Sequence, residues 1–189
     1  MLDDLIGALD EYVSVSRVDF ADVRALARRV VAVRAQDGRL ERAYSYTISG
    51  VGARVLVEGA WGFASVNEVS REAALKALKM AEKAARASVD KVAEAGCVAE
   101  YEGRRDRVRI SGREDPSEVN LEEKVGCVLE LNREMMRYDE RVVNAVTVYR
   151  EYVDGVVVVN TQGAEIEQEI VRVSPGAFAA AREGALVQR

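Results

Sequence analysis

The stretch that most constrains the fold runs from Gly50 to Asn67. Two apolar runs, Ala53–Val57 (broken only by Arg54) and Ala60–Val66, flank the pair Glu58-Gly59. A glycine there accepts the positive φ that a tight hairpin requires. Trp61 and Phe63 are two residues apart, so they share one face of the returning strand. Gly62 leaves the opposite face bare, which marks a bulge or the close approach of another backbone. Trp61 is expected to anchor the core. Gly62 has a second reading, in which it leaves room for a substrate backbone.

The rest of the chain is arranged around that hairpin. Leu2, Leu5, Ile6 and Leu9 fall on one face of a short helix ending near Tyr12. Phe20–Gln36 is read as a long strand, although Ala and Arg also permit a helix as far as Arg29. Asp37-Gly38 makes a hairpin turn, and Leu40–Ser49 returns as a half-buried strand with Tyr44, Tyr46 and Ile48 on one side. With the Gly50–Asn67 hairpin, this predicts a meander of about four strands. Ser70 is a candidate N-cap for a helix reaching about Ala95, with Ala74, Leu78, Ala81 and Ala85 on its buried side. Gly103–Gly112 is expected to be an exposed strand with Val108 and Ile110 inward. Asn120 starts a second long helix whose inner face is Leu121, Val125, Val128, Asn132 and Met135. Arg141–Val153, Val156–Asn160 and Ala164–Val173 read as strands joined by turns at Asp154-Gly155 and Thr161–Gly163. Ala177–Glu183 looks helical by propensity. Runs of adjacent strands separated by helices predict an α+β fold, a mostly antiparallel sheet of meanders and hairpins with helices packed on it. Two lobes, about 1–95 and about 96–189, are expected within one domain.

Composition narrows the function. The net charge of −5 argues against nucleic acid, whose binding needs an excess of Lys and Arg. Arg104, Arg105, Arg107 and Arg109 are therefore read as a solvated strand rather than an anion site. No segment has the roughly 20 apolar residues needed to cross a bilayer, so no membrane partner is expected. Met1-Leu-Asp-Asp4 lacks the basic region of a secretory leader, which points to the cytoplasm. Cys97 and Cys127 are read as buried apolar fillers in a reducing compartment. The sequence contains no histidine, the commonest zinc ligand and usual general base near neutral pH. No catalytic, cofactor-binding or metal-binding residue is assigned to these positions, and substrate-contacting residues are unknown. The many Arg, Glu and Val, with few Asn and Gln, fit a heat-adapted source.

The run Gly50-Val-Gly-Ala-Arg-Val-Leu-Val-Glu-Gly-Ala-Trp-Gly-Phe-Ala-Ser65 resembles the TldD/PmbA family. The similarity continues through Asp115-Pro116, Glu122-Glu123-Lys124 and Asn160–Gly163. It implies an N-terminal domain of a two-domain zinc metallopeptidase, and makes Ala177–Glu183 a strand. The family's His-Glu-x-x-x-His helix has no counterpart here, so zinc is expected in a C-terminal metal-binding domain absent from this chain. The chain's end at Arg189, without a helix terminator or polar tail, fits that expectation. The resemblance further implies unfolded peptide as substrate, homo- or heterodimerisation with a family member, and a domain that shapes substrate access without catalysing. The other reading is a non-catalytic peptide-binding partner subunit. A sheet edge, with unpaired N–H and C=O groups, could recognise peptide backbone in either case.

Overall fold

The computed structural model describes residues 1–110 and 112–189. The elements in chain order are α1 (Leu2–Val15), β1 (Phe20–Gln36), β2 (Arg39–Val57), β3 (Ala60–Val66), α2 (Arg71–Arg86), β4 (Arg105–Ile110), α3 (Leu121–Arg137), β5 (Val142–Asn160), β6 (Glu165–Glu183) and β7 (Leu186–Gln188). The strand order is β3-β2-β1-β5-β6-β4, with β7 paired to β6. The fold is α+β. The chain divides into two compact units: Met1–Arg28, Ile48–Ile110 and Asp154–Glu169 form the first, and Arg29–Thr47, Ser111–Val153 and Ile170–Arg189 the second. Strands β1, β2, β5 and β6 each supply residues to both, so the units do not follow the sequence halves.

In unit 1, α1 and α2 bury their apolar stripes on one sheet face. Leu5, Leu9 and Tyr12 meet Ala74, Ala77, Leu78 and Ala81 over Val51, Ala53, Val55, Val157 and Val159. Ser70 caps α2 as expected, accepting the Ala73 N–H at 3.1 Å. The helix stops at Arg86, short of Ala95. There Ser88 turns its hydroxyl back to the Ala84 carbonyl, a bond that competes with helix continuation. A short 3-10 turn, Val89–Lys91, follows, and the Gly96 N–H then donates to the Gly59 carbonyl at 2.8 Å. The Tyr12 and Ser16 hydroxyls both donate to Glu82, tying α1 to α2.

Several strand expectations are corrected. The alternative helix at Phe20–Arg29 is not formed; β1 is extended throughout, with Phe20, Ala21, Asp22 and Val23 consecutively buried. The run Leu40–Val57 is one strand rather than two, so the first meander has three strands. Tyr44 and Tyr46 stack on each other at 5.8 Å, but with Ile48 they are exposed rather than half-buried. Asp154-Gly155 is no turn: β5 runs straight through, and Asp154 receives Arg28 at 2.6 Å. Ala177–Glu183 lies in β6, so pairing overrides its helical propensity. Ile110 is 52% exposed instead of inward. Three expected glycine turns hold: Asp37-Gly38 and Glu58-Gly59 have φ of 49° and 79° each, and Gly163 closes the Thr161–Gly163 turn at φ 84°.

In unit 2, α3 covers the sheet with a partly polar face. Asn120 caps it, accepting the Glu123 N–H at 2.8 Å. Its buried residues are Lys124, Val128 and Asn132, whereas Leu121 is exposed and Met135 and Met136 are half-buried. The Asn132 side chain accepts the Gly38 N–H and donates to the Ala35 and Ala145 carbonyls. That one amide fastens the helix to the β1–β2 turn and to β5. Asp37 accepts the Ala145 N–H at 2.9 Å, which holds its carboxyl below the usual range.

Candidate functional site

The β2–β3 hairpin pairs antiparallel from Val57↔Ala60 to Val51↔Val66. Small residues Ala60, Gly62 and Ala64 face the helices, and Trp61, Phe63 and Ser65 face away. Gly62 is the point of closest approach. A Cβ there would lie 1.9 Å from the Ala81 carbonyl oxygen and 2.5 Å from the Ala85 nitrogen, so the backbone of α2 sits directly over β3. The neighbouring backbone is this chain's own helix, and the reading of Gly62 as room for substrate falls. Trp61 is not a core anchor either: it is 40% exposed and Phe63 66%.

These aromatics are nonetheless held. Phe20 meets the Trp61 ring edge-on at 5.9 Å, and the Arg54 guanidinium lies 5.4 Å from its centroid. Arg54 is fixed by hydrogen bonds to the buried Asp22 carboxylate, which raise its pKa above the ordinary value against the opposing effect of burial. Phe63 lies within van der Waals reach of any Cβ placed on Gly52. A cleft of about 620 Å³ opens beside Trp61, lined by Arg24, Arg54, Cys97, Tyr101 and Asn160. A larger cleft of about 770 Å³ lies between α1, the Arg17–Asp19 connection and the Asn160–Glu165 turn.

The backbone of β3 completes the site. Residues 57 and 60 flank a two-residue turn and exchange hydrogen bonds, so Ala60, Gly62, Ala64 and Val66 point their amides toward β2. Trp61, Phe63 and Ser65 point theirs outward. Among the described residues β3 pairs with no other strand. Sequence reasoning placed the hairpin correctly but assigned its aromatic face to the interior. The available signal was that Ala60–Val66 contains no charge and no proline, the usual protections of an exposed edge.

Other candidates resolve differently. Arg105, Arg107 and Arg109 pair with Glu165, Glu167 and Glu169 at 2.9, 3.3 and 2.8 Å. Both partners advance by two residues together, so β4 and β6 run parallel and these guanidinium groups are neutralised locally. Cys97 and Cys127 are free and exposed, correcting their expected burial. In unit 2 the buried Glu151 receives Lys124 at 2.5 Å, Arg29 at 3.0 Å and the Tyr149 hydroxyl at 2.8 Å. Burial, reinforced by the Glu151 hydrogen bond, pushes the Tyr149 phenol well above the usual tyrosine range. This cluster, invisible to pattern reading, satisfies itself internally. Among the described residues no group of three His, Cys, Asp or Glu could hold a metal, and the side chains present do not fit a catalytic zinc site. Nor is any described helix long and apolar enough to cross a membrane.

Two family models match the sequence: PmbA/TldA metallopeptidase domain 1 over residues 21–85, and the PmbA/TldA metallopeptidase central domain over residues 114–188. The chain belongs to the PmbA/TldD family. A metalloprotease of Methanothermobacter thermautotrophicus is 32% identical over 174 residues, covering 91% of this chain and 36% of the relative. One of Methanocaldococcus jannaschii is 28% identical over 154 residues, covering 82% of this chain and 34% of the relative. TldE from Thermococcus kodakarensis shares the fold, with a TM-score of 0.76 at 14% identity over 98% of this chain and 41% of its own. The chain thus spans about a third of the length of the curated relatives it matches.

Proposed function

We propose that these residues form the polypeptide-holding, non-catalytic part of a PmbA/TldD-family metallopeptidase. Zinc and bond cleavage would belong to residues outside this chain, because the 189 residues contain no histidine. The observation that carries the reading is the open sheet edges. Among the described residues, β3 of unit 1 is paired on one side only. In unit 2, the same is true of Arg39–Thr47 of β2, since β3 pairs only with Val51–Val57. Open edges bind extended chains through backbone groups and are tolerant of side-chain sequence, which suits unfolded peptide. Pairing with a second family member, and a cytoplasmic setting consistent with two free thiols, complete the proposal.

The test is fluorescence anisotropy with one labelled protein in two forms, reduced and carboxymethylated or natively folded. Titrating the 189-residue chain should bind the unfolded form and leave the folded one free. Equal binding to both, or to neither, would sink the proposal.

A further inference from the structure

We infer that the groove between the outer edge of β3 and the adjoining flank of α2 takes one extended, alternately apolar, uncharged or acidic peptide segment. The inference rests on the polypeptide-holding reading and adds the place, the contacts and the chemistry. Three outward residues, Trp61, Phe63 and Ser65, offer about six backbone hydrogen bonds to an added strand. One face of that strand would continue the face carrying Trp61 and Phe63, whose rings are held toward β2 and β1 by Phe20, Arg54 and Gly52. On the other face stands the flank of α2 that faces away from α1. Glu82 and Arg71 mark the α1 side, through Tyr12 and Glu11. At helical spacing the opposite flank carries Lys76, Met80 and Ala84, all exposed, with Met80 at 47%. Alternate side chains of a bound strand would therefore border the aromatic face on one side and Met80 on the other.

Two features choose this occupant over a second copy of the chain. Gly62 brings α2 directly above β3. Pairing two copies edge to edge would set their β3 strands about 4.8 Å apart. The two α2 helices, on the same face, would then be far closer than the roughly 8–10 Å at which helices pack. A lone strand has no helix to clash. The outer side of α2 also carries Lys76, Lys79 and Lys83 against Glu72, which repels a second copy and disfavours a basic peptide.

Trp61 is the chain's single tryptophan and reports directly on the groove. The probe is a blocked eight-residue peptide alternating valine and threonine, with forms carrying glutamate or lysine at the threonine positions. Saturable change in Trp61 emission is expected, with the lysine form weakest. Ser65→Pro removes an outward N–H that β2 does not use, and Phe63→Ser removes the exposed ring. Each should weaken the valine–threonine peptide about tenfold with the circular dichroism spectrum unchanged. Unaltered affinity in both variants would overturn the groove while leaving unfolded-protein binding intact. Tightest binding of the lysine form would overturn the charge assignment. If no peptide binds but the unfolded protein still does, the groove falls alone. If neither binds, the underlying reading falls with it.

Discussion

Units 1 and 2 solve the same problem, fastening helices to a sheet, with opposite chemistry. Unit 1 uses alanine, valine and leucine, with a glycine at the tightest point. Ala74, Ala77, Ala81 and Ala85 are fully buried, and Gly62 admits the helix backbone itself. Unit 2 has a small apolar cluster, Val33, Ala35 and Val128, and supplements it with Lys124, Asn132, Thr147 and Glu151. Packing of the first kind depends on shape, and every atom added is felt. Fastening of the second kind depends on complete pairing, because a buried polar group left alone costs more than the pair contributes. The two units should therefore fail under different substitutions.

The largest effect is expected in unit 2. Glu151→Ala leaves the Lys124 ammonium, 5% exposed, without its carboxylate. Stability should fall by about 3–5 kcal/mol, read as a shift in the urea midpoint. The double change Lys124→Met with Glu151→Leu should recover to within about 1 kcal/mol of the parent, because this cluster then holds no buried charge. A double variant as unstable as the single one would show that the network does more than satisfy itself.

In unit 1 the corresponding break is steric. Gly62→Ala places a methyl group against the backbone of α2 at Ala81 and Ala85, which no rotamer change relieves. A loss of about 3 kcal/mol is expected, at the upper end of overpacking effects. Gly126→Ala supplies the control, since a Cβ there meets nothing within 4 Å. A mid-helix alanine should stabilise by about 1 kcal/mol. Equal responses at both glycines in thermal denaturation would refute the close approach.

What could be read in the sequence follows the same division. Local rules placed the glycine turns at 37–38, 58–59 and 161–163, because Asp37, Gly38, Gly59 and Gly163 carry their backbone tolerance with them. They also placed the caps Ser70 and Asn120. Strand continuity through Asp154-Gly155 and into Ala177–Glu183 was not legible from local pattern, since it comes from pairing with distant strands. Side-chain alternation likewise could not tell which face of β3 is covered. Trp61 and Phe63 are apolar, but the helix comes to the face where a glycine lets it approach. The same blind spot hid Lys124, whose burial depends on a glutamate far along the chain.

The caps give the next smaller comparison. Ser70→Ala and Asn120→Ala each remove one acceptor for an N-terminal helix amide. About 1 kcal/mol is expected for each. The effects should add in the double variant, since the caps lie on different helices of different units. A coupling beyond about 0.5 kcal/mol in denaturant titrations would contradict independent capping.

The smallest effects are those of pH, and here the units should behave alike at both ends. Burial raises the Glu82 carboxyl in unit 1, but hydrogen bonds from Arg86, Tyr12 and Ser16 outweigh it, so its pKa is lowered. Asp37 in unit 2 is lowered as well, chiefly by the Ala145 N–H. A carboxyl with a lowered folded pKa binds more protons when unfolded. Its stabilising contribution is present above the unfolded value of about 4 and is lost as pH falls through the folded value. Tyr12 and Tyr149 are raised by burial, each with a glutamate partner. There the unfolded chain ionises first, so stability should decline once pH rises past about 10. Glu82→Gln should flatten the acid limb of a urea-midpoint profile without moving its alkaline onset from Tyr149. An acid limb unchanged in both Glu82→Gln and Asp37→Asn would mean that neither carboxylate couples folding to protons.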